Sequence, residues 1–376
     1  MGNVPKLRFP EFSGEWEEKK LSNTLKIKHG KDQRTIEHSN GIYPILATSG
    51  IIGYTNTAIY KKETVLIGRK GTINKPQYMS TPFWTIDTLF YSEIHAENYV
   101  KFIYYLFQTI NWLEYNEASG VPSLSAATIE NIKVSIPSLP EQTKIANFLT
   151  LFDKKIEKQS EKVAALEEYK KGLMQKIFSR EIRFKDDEGK DYPEWEIKKA
   201  KKLFYNISDK NHNGDLEVLS VTQDRGTVIR KELSIDIKYD RANLKNYKRV
   251  KRNNFIISLR SFQGGIDRSS HDGLVSPAYT IFDLTEPEMH DPRYYGLLFK
   301  SKNYINRLNT LIYGIRDGKA IGFNDFSELP IHYPSKFEQT KIANFLTLFD
   351  RKIEKEKAKL EALREQKKGL LQQMFV

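Results

Sequence analysis

A segment of eighteen residues occurs twice in this chain with a single change. Residues 141–158 read EQTKIANFLTLFDKKIEK and residues 338–355 read EQTKIANFLTLFDRKIEK, an offset of 197 with one difference, Lys154 against Arg351. The same offset pairs Leu166 with Leu363, Lys170-Lys171-Gly172-Leu173 with Lys367-Lys368-Gly369-Leu370, and Phe178 with Phe375. Self-similarity at a fixed period marks a duplicated structural unit. Any fold for this chain must therefore contain the same element twice.

That element reads as a long helix. Ile145, Phe148, Leu149 and Phe152 form an i, i+3, i+4, i+7 stripe, repeated as Ile342, Phe345, Leu346 and Phe349. Beyond the stripe the apolar residues are Ile156, Val163, Leu166 and Leu173, and in the second copy Ile353, Leu360, Leu363 and Leu370. Their gaps of 7, 3 and 7 are near-heptad, with charges between, as in a coiled-coil seam. About 35 residues at ~1.5 Å each predict a rod of about 50 Å. Pro137, Pro140 and Pro334 lie at or before the helix start, where proline does little harm.

A weaker echo precedes each rod. Leu7-Arg8-Phe9 with Glu15-Trp16 returns as Ile182-Arg183-Phe184 with Glu194-Trp195. The expected layout is a head at 1–140, a helix at 141–179, a second head at 180–337 and a second helix at 338–376. The heads share little else. Two identical helical surfaces point to two copies of one partner, or to the rods packing on each other about a pseudo-dyad. Two unlike heads point to two ligands, or to two stretches of one ligand.

The net charge of +12 suits nucleic acid, because neutralising phosphates releases condensed counterions, although a lysine-rich proteome gives the same excess. With 39% hydrophobic residues the chain can build cores, and with no cysteine it has no disulfide framework or Cys-based zinc site. No run of 18 apolar residues occurs and the first residues lack a secretory apolar stretch, so a cytoplasmic location without membrane contact is expected.

In the first head, strand-like runs at Tyr43–Leu46, Ser49–Tyr54 and Thr64–Ile67 lead into Gly68-Arg69-Lys70-Gly71 and then Thr72-Ile73-Asn74. This predicts a strand–turn–strand tip where glycines let backbone approach a phosphate while Arg69 and Lys70 project; a solvated hairpin tip reads the same way. Lys28, Lys31, Arg34, Lys75 and Tyr78 are further candidates for contact with DNA, and Tyr99–Trp112 predicts a mostly buried helix. In the second head Arg260, Gln263 and Arg268 are candidate base readers, since Arg and Gln read guanine and adenine edges in the major groove. Arg225, Arg316 and Lys319, in other glycine-containing loops, are candidate backbone contacts.

The motifs of catalysis are missing. There is no Pro-Pro dipeptide for an adenine methyltransferase loop, no Gly-x-x-x-x-Gly-Lys-Ser/Thr phosphate loop, no paired-histidine zinc motif and no Gly-x-Ser-x-Gly elbow. Asp191 with Glu196-Ile197-Lys198 fits a nuclease pattern loosely, as chance allows in a chain with 29% charged residues.

Taken together, the doubled Glu-Gln-x-x-Ile-Ala-x-Phe-Leu…Asp-x-x-Ile segments at Glu141–Ile156 and Glu338–Ile353 resemble the specificity subunit of type I restriction-modification enzymes. So do Leu7–Trp16, Ile67–Thr72 and Arg260–Gly265. The resemblance implies an α+β fold: two globular mixed α/β target recognition domains separated by two long antiparallel helices paired as a coiled coil, with pseudo-twofold symmetry. Each head would read one half of a bipartite double-stranded DNA target. The helices would set the spacer and dock two modification subunits through the stripe Ile145, Phe148, Leu149 and Phe152 and its twin Ile342, Phe345, Leu346 and Phe349. S-adenosylmethionine, ATP and magnesium would sit on partners, a motor-nuclease subunit could join, and this chain would hold no cofactor or metal and catalyse nothing. Half-sites on one face of DNA lie about 34 Å apart, within the reach of such a rod. A two-headed architectural DNA protein without enzyme partners is the other non-catalytic reading.

Overall fold

The repeated segments open two long helices in the computed structural model, Leu139–Phe178 and Lys336–Met374. The structure describes residues 3–222, 226–233, 241–259, 261–311 and 321–376, with backbone alone at 241–243 and 262. It divides into two compact units, 1–161 with 357–376 and 162–356, so the division falls inside both helices. Each unit thus owns the start of one helix and the end of the other.

In the first unit the central sheet is antiparallel, in the order Leu25–Lys28, Leu89–Ile94, Thr64–Gly68 and Gln77–Met79. A second sheet joins Gly50–Thr55, Tyr43–Ala47 and Trp84–Thr85, and Glu17–Lys20 pairs with Lys133–Ile136. The helix Val100–Thr109 buries Phe102, Ile103, Tyr105, Leu106 and Phe107 in the core. The second unit repeats this plan with other residues. Its sheet runs Phe204–Ile207, Thr280–Leu284, Phe255–Ile257 and Asp267–Arg268, and Glu196–Lys199 pairs with Pro330–Tyr333.

The doubled Glu-Gln explains why each helix holds its head. Glu141 is 2% exposed and takes a bidentate grip from Arg8, at 2.8 Å on each oxygen, with the Trp16 indole N–H at 3.3 Å. Glu338, fully buried, receives Arg183 at 3.4 and 3.1 Å and the Trp195 N–H at 3.3 Å. A buried carboxylate must be paired and hydrogen-bonded, and Arg offers the planar fork that fits it. The weak echo before each rod is therefore the other half of the clamp. The next residue secures a second element. Gln142 accepts from the Tyr99 amide (2.9 Å) and donates to the Pro137 carbonyl (3.0 Å); Gln339 does the same with Asp291 (2.9 Å) and Pro334 (2.8 Å).

The aliphatic part of the apolar stripe is buried inside each unit. Ile145, Leu149 and Phe152 are 0–7% exposed, and Ile145, Leu149 and Phe148 pack into the first head, Phe148 edge-on to Phe9 at 5.7 Å. Ile342 and Leu346 are fully buried in the second head, with Phe345 against Phe184 at 5.3 Å and Phe349 against Tyr169 at 5.7 Å. Of the stripe expected to dock a partner, Ile145, Leu149, Ile342 and Leu346 are sequestered in their own cores and offer no free surface, Phe152 is 7% exposed, and Phe148, Phe345 and Phe349 are half-buried.

Within the second unit the helix segments run antiparallel, tied by Lys162–Glu356 (2.8 Å) and Lys170–Asp350 (2.5 Å). The equivalent pair in the first unit is Lys367–Asp153 at 2.6 Å. Along the seam Val163, Ile353 and Leu360 are 6–7% exposed, while Ile156, Leu166, Leu173, Leu363 and Leu370 are half-buried.

Ile145→Ala and Ile342→Ala should each cost about 2–5 kcal/mol in urea unfolding, the range for emptying a core aliphatic site. Leu151→Ala and Leu348→Ala, at positions 56% and 60% exposed, should stay within about 0.5 kcal/mol of wild type.

Candidate nucleic-acid and partner interfaces

The Gly68–Gly71 segment does not form the expected hairpin. Thr72-Ile73-Asn74 is no strand; the partner of Thr64–Gly68 is Gln77–Met79. Chain folds back so closely that a Cβ on Gly68 would lie 2.1 Å from the Thr72 carbonyl oxygen, and Gly71 has a left-handed φ of 87°. The amides of Arg69 and Lys70 both donate to the Thr88 carbonyl, and Leu124 donates to that of Arg69. The turn is thus braced on two sides. Arg69 reaches Asp87, with guanidinium–oxygen distances of 3.3 and 3.4 Å, and Lys70 is exposed with no side-chain partner among the described residues. Lys31 is held to the same stretch: its amide donates to Thr85 at 2.8 Å and its carbonyl accepts from the Trp84 indole at 2.9 Å. Lys31, Arg69 and Lys70 therefore gather around Trp84–Thr88, and such a fixed cationic group suits a phosphate backbone.

The other candidates of this head lie apart from that group. Lys28 is ion-paired with Glu93 at 3.1 Å, and Arg34 forms a fork with Asp32, whose carboxyl is pulled down to about 2. Lys75 is exposed on the return to Gln77–Met79. Tyr78 is packed on Tyr104 at 5.9 Å beneath the Lys101 ammonium, and burial pushes its phenol well above the usual range. Its ring therefore already has two partners within its own head.

In the second head, Arg225, Arg260, Arg316 and Lys319 lie outside the described residues. Gln263 is exposed on the short helix Ser261–Gly264. Arg268 does not project as a base reader. Its stem lies over Gly296, where an added Cβ would meet it at 3.2 Å, its guanidinium donates to Asn253 at 2.5 Å, and burial lowers its pKa. It lines a cleft of about 470 Å³ with Arg252, Arg293 and Lys336. Those three cations come from distant stretches, so nothing in the linear pattern flags them. Glu196 and Lys198 pair with each other at 3.1 Å, Tyr333 donates to Glu196, and Asp191 lies 3.7 Å from Lys185. Among the described residues no group of acidic or histidine side chains could hold a metal, and no helix is long and apolar enough to cross a membrane.

One shared surface remains on the repeated segments. Asn147, Leu151, Lys155 and Lys158 are exposed, as are their twins Asn344, Leu348, Lys352 and Lys355. Spacings of 4, 4 and 3 put them along one helical face. Core packing explains the identity of Ile145 and Ile342, but not that of solvent-facing residues on two unlike heads. Leu151 and Leu348 also leave a large apolar group in water in both copies.

A family model described as the type I restriction modification DNA specificity domain matches residues 13–168 and again residues 195–365. The chain belongs to this family. It is 26% identical over 230 residues to the type I restriction enzyme MjaVIII specificity subunit of Methanocaldococcus jannaschii, covering 52% of this chain and 50% of that protein. It is likewise 26% identical over 153 residues to the EcoprrI specificity subunit of Escherichia coli, covering 39% and 38%. The chain thus spans about half the length of the curated relatives it matches or less. In fold it is similar to the crystal structure of the type I restriction-modification S subunit from M. genitalium, with TM-score 0.62, 15% identity and 99% of each chain covered. A structure described as concerning complex assembly and conformational transition of the type I R-M system aligns with TM-score 0.53, 12% identity and coverage of 95% and 96%. The two matched stretches of the specificity-domain family each hold most of one head and the start of its helix, with the clamp's tryptophan and glutamate, while Arg8 and Arg183 lie just before them.

The equivalent clamps differ at one titratable neighbour. Gln339 lies beside His290, which is 7% exposed, where Gln142 has Asn98. Burial holds the imidazole below 6.5, opposed by Glu286, Glu196 and Glu288 and aided by Lys198. A depressed histidine favours the folded state above the unfolded pKa and loses that advantage as pH falls through the window below ~6.5. Unfolding from pH 7 to 5 should show a weaker pH slope, by up to about one proton, in His290→Asn than in wild type. Equal slopes would remove His290 as the source.

Proposed function

We propose that the chain acts as the DNA-specificity subunit of a type I restriction-modification enzyme. Each head reads one half of a bipartite duplex target, and the long helices set the gap between the halves. The observation that carries this reading is the pairing of two like clamps with two unlike heads. One scaffold is used twice to present two different reading surfaces.

The chain supplies recognition and no catalysis. Adenine methylation with S-adenosylmethionine belongs to two modification subunits, and ATP and magnesium to a motor-nuclease subunit when one joins, in the cytoplasm. Each modification subunit docks on one exposed face, at Leu151 with Lys155 and Lys158, or at Leu348 with Lys352 and Lys355. The identity of these outward side chains supports two copies of one partner, and their charge favours an acidic counter-surface. Lys31, Arg69 and Lys70 grip the backbone of one half-site, so they contribute affinity rather than sequence choice.

The chain co-expressed with its modification partner should place N6-methyladenine at a split motif with two specified halves and an unspecified gap. Methylation at one uninterrupted motif, or at none, would contradict the reading. Lys70→Ala should lower duplex affinity and reduce the salt slope by about one, leaving the motif unchanged. Leu151→Asp and Leu348→Asp should each cost one bound modification subunit, and the double variant both, as read by native mass spectrometry.

A further inference from the structure

In the second sheet of the first head, the outer strand Gly50–Thr55 breaks the usual alternation. Its neighbours Ile51 and Ile52 are 58% and 42% exposed, and Tyr54 is 44% exposed. Successive strand residues face opposite sides, so in a sheet resting on a core one of the two isoleucines should be covered. The ladder slips at this point. Ile45 lies opposite Gly53 and Leu46 opposite Ile51, which leaves Ile52 as an extra residue with nothing opposite it. Such a β-bulge re-aims a side chain. Leu46 is 4% exposed in its cluster, so the inner strand of this ribbon rests on the core while the outer one overhangs it.

The second head builds the same ribbon without the bulge. Leu219–Thr222 and Gly226–Ile229 pair in unbroken register, and Val218 bridges Leu274 in parallel as Ile45 pairs with Trp84. Among its described residues that ribbon exposes no large apolar side chain. The shared scaffold therefore has no need of the exposed isoleucines. They belong to one head alone.

The ribbon stands beside the cationic group of Lys31, Arg69 and Lys70. Its tip is Thr48-Ser49, and a Cβ on Gly71 would lie 3.6 Å from the Thr48 hydroxyl. Trp84-Thr85 pairs with Ile45-Leu46, and the Ile86 amide donates to the Leu46 carbonyl at 3.1 Å. Asp87 offsets part of the Arg69 charge, and the Glu37 carboxylate lies over Gly53, so excess positive charge is confined to the tip end. Ile51 stands two strand spacings, about 10 Å, from Thr85. A major groove about 12 Å wide admits a two-stranded ribbon, with phosphates along its rims. Cations at one rim thus leave the isoleucines over base edges. An isoleucine side chain cannot hydrogen-bond, and the apolar group offered there is the C5-methyl of thymine.

We propose, resting on the DNA-recognition reading of this head, that Ile51 and Ile52 pack on the C5-methyl of a thymine in its half-site. They are then specificity-determining residues, beside cations that supply affinity.

The test uses the full chain in complex with its modification partner and duplexes carrying the split motif that the complex methylates. Deoxyuridine replaces each thymine in turn, removing the C5-methyl alone. Wild type should bind one such duplex about fourfold more weakly, the equivalent of ~0.8 kcal/mol for one buried methyl-sized group. Ile51→Ser with Ile52→Ser should bind the thymine and deoxyuridine duplexes alike, yet reject a base-pair change in the other half as wild type does. Ile51→Val with Ile52→Val should keep the difference. A split motif in which no thymine responds overturns the proposal and leaves the wider reading standing, as does a response that persists in the serine variant. If that variant loses discrimination in both halves, Ile52→Ser alone is judged by the same criterion. Loss of a modification subunit from the serine variant in native mass spectrometry, with the thymine response intact, would make the ribbon a protein contact and overturn the proposal too. Where no split motif is methylated, the wider reading falls and the proposal with it.

Discussion

A carboxylate buried at the start of each long helix fixes the architecture. Glu141 and Glu338 would be costly where they lie without full pairing, and Arg8 with Trp16, or Arg183 with Trp195, supplies it. Once that clamp closes, the segment before each head lies on its helix and the neighbouring glutamine locates the head's own helix or loop. The edge-on Phe9–Phe148 and Phe184–Phe345 contacts then align the apolar stripe with the core. The burial of Glu, Gln, Ile, Ala and Leu in both copies accounts for most of the duplicated segment's inward residues. Its outward residues need a reason outside the chain.

Much of this was legible in the linear pattern, for a physical reason. Rods obey periodicity, and periodicity survives when head residues change. The Leu7–Trp16 echo was visible too, though its bond to the helix was not, because 133 residues separate Arg8 from Glu141. The repetition of the sheets was hidden. Leu25 opposite Ile94 and Phe204 opposite Leu284 fill like positions with different volumes, so shape is shared without shared letters.

The misreadings share a cause. A helical stripe shows that residues face something apolar, without saying whether it is the chain's own core or a partner. Ile145 and Ile342 face their own heads. Arg268 and Tyr78 look like reaching side chains until the glycine or ring beside them is known. The Gly68–Gly71 turn suggested a hairpin, yet its glycine serves a close approach of backbone to the Thr72 carbonyl. Clefts built from distant cations, such as Arg252 with Arg293 and Lys336, carry no local signature at all.

Two equal clamps under two unlike heads let the heads diverge while the frame stays fixed, because changes in a head's loops need not disturb the Glu–Arg–Trp contact. Double-mutant cycles on Arg8 with Glu141, and on Arg183 with Glu338, each to methionine, test that frame most directly by chemical unfolding. The account predicts coupling of at least about 2 kcal/mol in both cycles, with the single variants more destabilised than the doubles. Additive effects in either cycle would contradict it, since that head would then be held by something other than its clamp.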